Sequence, residues 1–225
     1  IDATKDHCVS YKINTAFYES MGLKGWDAME QTLHHIPETH FKIADAKRGD
    51  IGNTSKSYAK AFFETLKADA ITVAPYMGSD SVLPFYEFKD KWVVLLALTS
   101  NQGAADFQML PIGNKKLYAE VVEKATQWGT SENTMFVVGA TQTSEIAELR
   151  SLAQDYFFLV PGVGAQGGSL KEVFDFGANA DCGLLVNSSR AIIYAQKDEN
   201  FALAAKKEAL KMQTEMALYL QRLVD

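Results

Sequence analysis

WVVLLALT, residues 92–99, carries no polar side chain before Thr99. A strand with one wet face alternates apolar and polar residues. A run that is apolar at both parities predicts a strand covered on both faces, as in a parallel sheet flanked by helices. MFVVGA at 135–140 reads the same way. Working outward from these two, short apolar runs predict strands near 8–13, 41–46, 70–75, 92–99, 135–140, 157–161 and 182–187. Helix-period segments fill the intervals at 26–35, 54–67, 117–128, 144–153 and 169–177, with a long last one from about 200 to 223. Asp80–Lys89 reads as a shorter helix interrupted by Pro84. Alternating βα units predict an α/β fold. Seven in line favour a (β/α)8 TIM barrel lacking one strand over a doubly wound sheet, which the pattern also accommodates. No Ser/Gly/Pro-rich linker divides the chain, so 1–225 reads as a single barrel domain. It begins at Ile1 without a methionine and reads as starting inside a helix, so the domain is expected to be N-terminally incomplete.

Composition narrows the partners. Hydrophobic residues at 47 % and charged residues at 22 % match a globular domain with a real core. The net charge of −6, with no Lys/Arg block, argues against a nucleic-acid partner, which needs clustered cations to displace counterions. A small anionic ligand would have to be held by a few placed residues. The longest apolar runs are too short to span a bilayer, so no membrane partner is expected, and no secretory pattern is visible. Cys8 and Cys182 fall inside the expected strands and read as buried free thiols, which fits a reducing cytoplasm.

In a parallel α/β fold, ligand chemistry belongs at the carboxyl ends of the strands. FKIADAKRGDIGNTS, 41–55, is the strongest signal there. Side chains alternate along a strand, so Asp45 and Lys47 are expected on the same side, with Asp50 following once Gly49 has let the chain turn. Lys12 ends the preceding strand and offers a second ammonium. The competing reading is a solvated loop with surface ion pairs. Arg-Gly-Asp at 48–50 matches a cell-adhesion tripeptide by chance, since it sits beside a buried strand.

PGVGAQGG, 161–168, matches the dinucleotide fingerprint at Gly162, Gly164 and Gly167. It lies after the sixth strand, however, and no acidic residue ends the next strand to take a ribose. What the glycines offer is backbone amides for a phosphate, or simply a tight turn. In LLVNSSRAIIYA, 184–195, Arg190 directly follows the last strand. The loops after the last two strands of such barrels frequently hold phosphate, for which a planar guanidinium is suited. Thr99, Ser100, Asn101 and Gln102 either read a heterocycle edge or cap a helix; the local sequence does not decide. The histidines, His7, His34, His35 and His40, all lie away from strand ends, so neither a His-ligated metal site nor a Ser–His machine has support. Tyr58, Phe62 and Phe63 have the spacing of a helix's core face.

Taken in order, YKIN (11–14), DAKRGDIGNTS (45–55), ADAITVAPYMG (68–78), LALTSN (96–101), VPGVGAQGG (160–168) and LLVNSSR (184–190) closely resemble the orotidine 5′-phosphate decarboxylase family, in its bacterial branch carrying DAKRGDIG. The resemblance implies cofactor-free and metal-free decarboxylation of orotidine 5′-monophosphate to UMP, the last step of de novo pyrimidine nucleotide synthesis. It implies a Lys–Asp–Lys–Asp array of Lys12, Asp45, Lys47 and Asp50, with Lys47 the proton donor and Asp50 reaching a partner subunit's site in a homodimer. Thr54 would reach across likewise. Ser100 would contact the pyrimidine, Asn14 the ribose region, and Gln166 with Arg190 the phosphate. The family's first strand, with a ribose-holding aspartate, is expected before Ile1 and is absent from the sequence. D-x-K-x-x-D is shared with 3-keto-gulonate- and hexulose-phosphate enzymes, which stabilise an enediolate with Mg²⁺. A catalytically silent nucleotide-binding barrel is a further alternative, against which the intact Asp45, Lys47 and Asp50 speak.

Overall fold

The computed structural model describes residues 1–140, 143–163 and 168–223. The chain packs as two compact units, one of Ile1, 9–96 and 127–135, the other of 2–8, 97–126 and 136–225.

The first unit holds β1 (Ser10–Asn14), α1 (Thr15–Glu19), α2 (Leu23–His35), β2 (Phe41–Arg48), α3 (Gly52–Lys60), β3 (Ala70–Val73), α4 (Ser79–Tyr86) and most of β4 (Trp92–Leu98). β1 to β4 pair in parallel in that order, with Asn14 beside Asp45 and Ala44 beside Ile71. All four residues of β3 are buried, as a strand covered on both faces requires. In α2 the inward positions are Gly25, Met29 and Leu33, at helical spacing. A Cβ on Gly25 would stand 1.7 Å from the Tyr18 carbonyl oxygen, so only glycine lets α2 meet the end of α1. The helix expected over 54–67 begins two residues earlier and passes into a π turn, Ala61–Thr65. There Leu66 N–H reaches back five residues to the Ala61 carbonyl (3.0 Å). That wider turn lets the consecutive Phe62 and Phe63 both enter the core. Pro84 stands inside α4, which continues past it to Tyr86.

The second unit holds the end of β4, α5 (Ala104–Phe107), a small hairpin of β5 (Pro111–Ile112) and β6 (Lys115–Lys116), and α6 (Leu117–Ala125). It continues with most of β7 (Thr134–Val138), then α7 (Thr143–Leu152), β8 (Phe157–Pro161), α8 (Leu170–Gly177), β9 (Leu184–Asn187), α9 (Arg190–Ile193) and α10 (Phe201–Gln221). Ser169 caps α8 by accepting from Glu172 N–H at 3.4 Å, and Leu170, Val173, Phe174 and Gly177 form its buried stripe. Arg150 of α7 donates to the carbonyls of Gly177, Ala153, Gln154, Tyr156 and Gly183 at 2.7–3.0 Å, and its guanidinium lies 3.9 Å from the Phe158 ring centre. One side chain thus ties α7, the end of α8 and the starts of β8 and β9.

The parallel strands pair in chain order, β1-β2-β3-β4-β7-β8-β9. A doubly wound sheet reverses direction at a switch point, so this order is that of a (β/α) barrel. Cys8 and Cys182 correct one expectation. Both are free, but both lie just outside the strands and are half-buried. Cys182 sits in a tight turn at φ 70° before β9, where a continuous strand is impossible.

Candidate active site

The site in the first unit is built by the carboxyl ends of β1, β2 and β3. Asp45 lies in β2 at 8 % exposure, flanked by ammonium groups. Lys12 Nζ of β1 donates to its Oδ2 at 2.6 Å and Lys47 Nζ to its Oδ1 at 2.5 Å. A third donor, the buried Thr72 hydroxyl of β3, reaches Oδ1 at 3.0 Å. Burial alone would push the Asp45 carboxyl up. The charges and hydrogen bonds of Lys12 and then Lys47 outweigh it, and the carboxyl is held below its ordinary range. Asp45 is therefore an anion at neutral pH, and the solvated-loop reading does not hold for it.

Lys47 meets Asp45 by a route that strand alternation does not describe. The register of β2 on β3 slips between Ala44 and Arg48, where three residues of β2, Asp45 to Lys47, run beside Thr72 alone of β3. Lys47 occupies this bulge at φ 48°, a left-handed conformation costing a lysine about 1–2 kcal/mol. Its N–H, diverted from the ladder, donates to Thr72 Oγ1 at 2.9 Å. The turn expected at Gly49 is thus made at Lys47. Gly49 contributes its lack of a side chain instead, for a Cβ there would stand 3.0 Å from the Ala74 carbonyl oxygen. Half of the Lys47 side chain stays exposed, whereas Lys12 is 13 % exposed.

Arg48 turns away from these groups. It pairs with Glu19 at 2.5 Å, donates to the Ala46 carbonyl at 2.8 Å and lies 5.4 Å from the ring centres of Tyr58 and Phe62. Asp50 stands apart from the lysines. Its Oδ1 accepts from Ile51 N–H at 2.7 Å, and no lysine or arginine lies within ion-pair distance of it among the described residues. Nor does it cap α3, whose N-cap is Ile51 without a side-chain bond. Ser55 holds this turn, accepting from Asp50 N–H at 3.0 Å and donating to the Ser81 carbonyl at 2.8 Å. Thr54 is exposed in the first turn of α3. Asn14 closes β1 and caps α1, its Oδ1 accepting from Ala16 N–H at 3.2 Å. Of the expected array, Lys12, Asp45 and Lys47 are brought together and Asp50 is not.

In the second unit, Ser100 follows β4 and packs against Gly139, where a Cβ would stand 3.0 Å from the serine's own Cβ. Its neighbour Thr99 is held by Gln108, whose Oε1 accepts from Thr99 N–H (2.8 Å) and whose Nε2 donates to Thr99 Oγ1 (2.9 Å). The N-cap of α5 is Gly103, not one of Thr99 to Gln102. Arg190 opens α9 with an exposed guanidinium. Gln166, Gly164 and Gly167 lie outside the described residues; Gly162 has φ 96°. Thr72, Ser55 and Gln108 were missed from sequence. Each carries an uncharged group of a residue type common in helices, strands and loops alike, so no local signal marks it.

Residues 1–205 match the model of the Orotidine 5′-phosphate decarboxylase / HUMPS family. The chain is 57 % identical over 220 residues to an orotidine 5′-phosphate decarboxylase of Phocaeicola vulgatus, covering 96 % of this chain and 81 % of that one. It is 54 % identical over 228 residues to the Bacteroides fragilis enzyme of the same name, covering 100 % and 83 %. The solved structure of Leishmania donovani OMP decarboxylase superposes with a TM-score of 0.84 at 39 % identity, over 95 % of this chain and 84 % of that one. A family match over most of the length, relatives above half identity and a shared barrel fold agree: the chain belongs to the Orotidine 5′-phosphate decarboxylase / HUMPS family.

Proposed function

We propose that this chain converts orotidine 5′-monophosphate to UMP and CO2, with Lys47 as the acid that protonates C6. One observation carries the reading: an anionic carboxylate, Asp45, gripped at 2.6 and 2.5 Å by two ammonium groups at strand ends. When the bond from C6 to the carboxyl carbon breaks, its electron pair stays on C6, with no π-system to receive it. The chemical need is positive charge at one carbon, then a proton. An ammonium aimed at C6 meets both needs, first by preorganised electrostatics and then as general acid. Asp45 keeps Lys47 charged and aimed, and Lys12 balances the charge of Asp45. The curated relatives, named for this decarboxylation, support it.

The remaining assignments follow the family resemblance. Asn14 serves the ribose region, Ser100 the pyrimidine, and Gln166 and Arg190 the phosphate. Asp50 and Thr54 serve the site of a partner subunit in a homodimer. In support, Asp50 has no lysine of its own chain within ion-pair distance among the described residues, and Thr54 is exposed beside it. The proton source and its electrostatic partner are both side chains, so the reading calls on no cofactor or metal. Residues 1–225 act as one barrel domain, and two free thiols suit the reducing cytoplasm. No helix among the described residues is long and apolar enough to cross a membrane.

The test is to incubate the protein with orotidine 5′-monophosphate and follow ring absorbance, with and without EDTA. Matched formation of UMP and CO2 that EDTA does not touch is expected. No turnover, or turnover abolished by EDTA and restored by Mg²⁺, overturns the reading in favour of the sugar-phosphate branch.

A further inference from the structure

We propose that Thr72 is a positioning residue for this reaction, its hydroxyl fixing the Asp45 carboxylate and the Lys47 backbone relative to each other. The inference rests on the reading of Lys47 and Asp45 given above.

Thr72 sits in the middle of AITV, a strand whose other members are aliphatic, and is 1 % exposed. Valine has nearly the same shape and suits a buried strand at least as well, so packing alone gives no reason for a hydroxyl. The reason lies on β2. At the bulge, Lys47 N–H leaves the ladder and turns to another acceptor. Thr72 Oγ1 supplies it at 2.9 Å and donates in turn to Asp45 Oδ1 at 3.0 Å. The direction of this chain is forced. A backbone N–H can only donate, an ionised carboxylate can only accept, and the hydroxyl has one proton to give. The relay therefore runs from Lys47 N–H through Thr72 to Asp45, and each bond polarises the next.

Asp45 Oδ1 is also the oxygen that Lys47 Nζ holds at 2.5 Å, while Lys12 holds Oδ2. Two lysines on long stems would let the carboxylate rotate with them. A short, buried hydroxyl from the neighbouring strand fixes the plane of the carboxylate. The same hydroxyl pins the left-handed turn from which the Lys47 side chain departs. Thr72 touches neither the substrate nor the reacting carbon in this reading. It acts through the two groups that do.

The experiment compares Thr72→Val and Thr72→Ser with the parent protein in steady-state turnover of orotidine 5′-monophosphate, with thermal unfolding of each. Thr72→Val is expected to fold and to lose about 10- to 100-fold in kcat, the scale of one hydrogen bond to a charged group. Its KM should stay within about threefold, because binding contacts elsewhere are untouched. Thr72→Ser keeps the hydroxyl and should recover most of kcat. Wild-type kcat in Thr72→Val overturns the proposal, as does a loss confined to KM, or a folded Thr72→Ser as slow as Thr72→Val. Should Thr72→Val not fold, Thr72→Ala takes its place under the same expectations. Lys47→Ala, run alongside, separates the two levels. If it turns over normally, the reading of the array fails. If it is silent while Thr72→Val is normal, only the role of Thr72 fails.

Discussion

At the level of single residues, one carboxylate, Asp45, stands between two ammonium groups. Lys47→Ala removes the proton source and one of the two ammonium groups on Asp45, from a side chain that is half exposed. Turnover should fall by more than the ~10²–10⁴-fold typical of one acid–base group, with the folded state intact by circular dichroism. Retention of parental turnover would remove Lys47 from the chemistry. Asp45 also leaves a signature in stability. Its carboxyl is held below the ordinary value by Lys12 and Lys47 against the opposing effect of burial. A depressed carboxyl contributes stability in full above its unfolded pKa and loses it as pH falls through the lower folded value. The difference in unfolding free energy between the parent and Asp45→Asn should therefore be full at neutral pH and shrink below about pH 4. Urea titrations at pH 7, 4 and 3 check this; a pH-independent difference would mean that Asp45 is not held as an anion.

At the scale of elements, the second unit depends on Arg150, which satisfies five carbonyls where α7, α8, β8 and β9 begin or end. Arg150→Met keeps much of the volume over Phe158 but leaves five carbonyls, four of them part-buried, without this donor. It should cost more than about 3 kcal/mol in urea unfolding. A loss under about 1 kcal/mol would show that water replaces the guanidinium freely. The elements themselves were largely legible in the chain. Runs such as WVVLLALT and MFVVGA could be little else than strands buried on both faces, and all seven expected strands exist within a few residues. Where the local pattern gave the right residues for an incomplete reason, or gave nothing, the cause is shared: a backbone state or distant partner overrides it. Phe62 and Phe63, adjacent in sequence, both reach the core because α3 ends in a π turn. Asp45 and Lys47 meet because β2 bulges, although alternation gave the right pair for a simpler reason. Cys182 leaves its expected strand because the turn before β9 is left-handed. Thr72 gave no signal, since a threonine among aliphatics reads as an ordinary strand residue.

Across the molecule, the proposed function has four groups act on orotidine 5′-monophosphate: Lys12, Asp45 and Lys47 of one chain, and Asp50 of its partner. The first three are joined within the chain, while Asp50 lies past the bulge with no lysine or arginine of its own chain within ion-pair distance among the described residues. A two-fold dimer lets each chain give this turn and receive its twin. The decisive measurement mixes Lys47→Ala with Asp50→Ala, each inactive alone, allows subunit exchange, and assays decarboxylation. In a heterodimer one site carries both lesions and the other carries neither. An equal random mixture should therefore regain roughly a quarter of parental activity by pairing symmetry. No recovery after exchange has been verified would place Asp50 in its own chain's site and contradict the shared array.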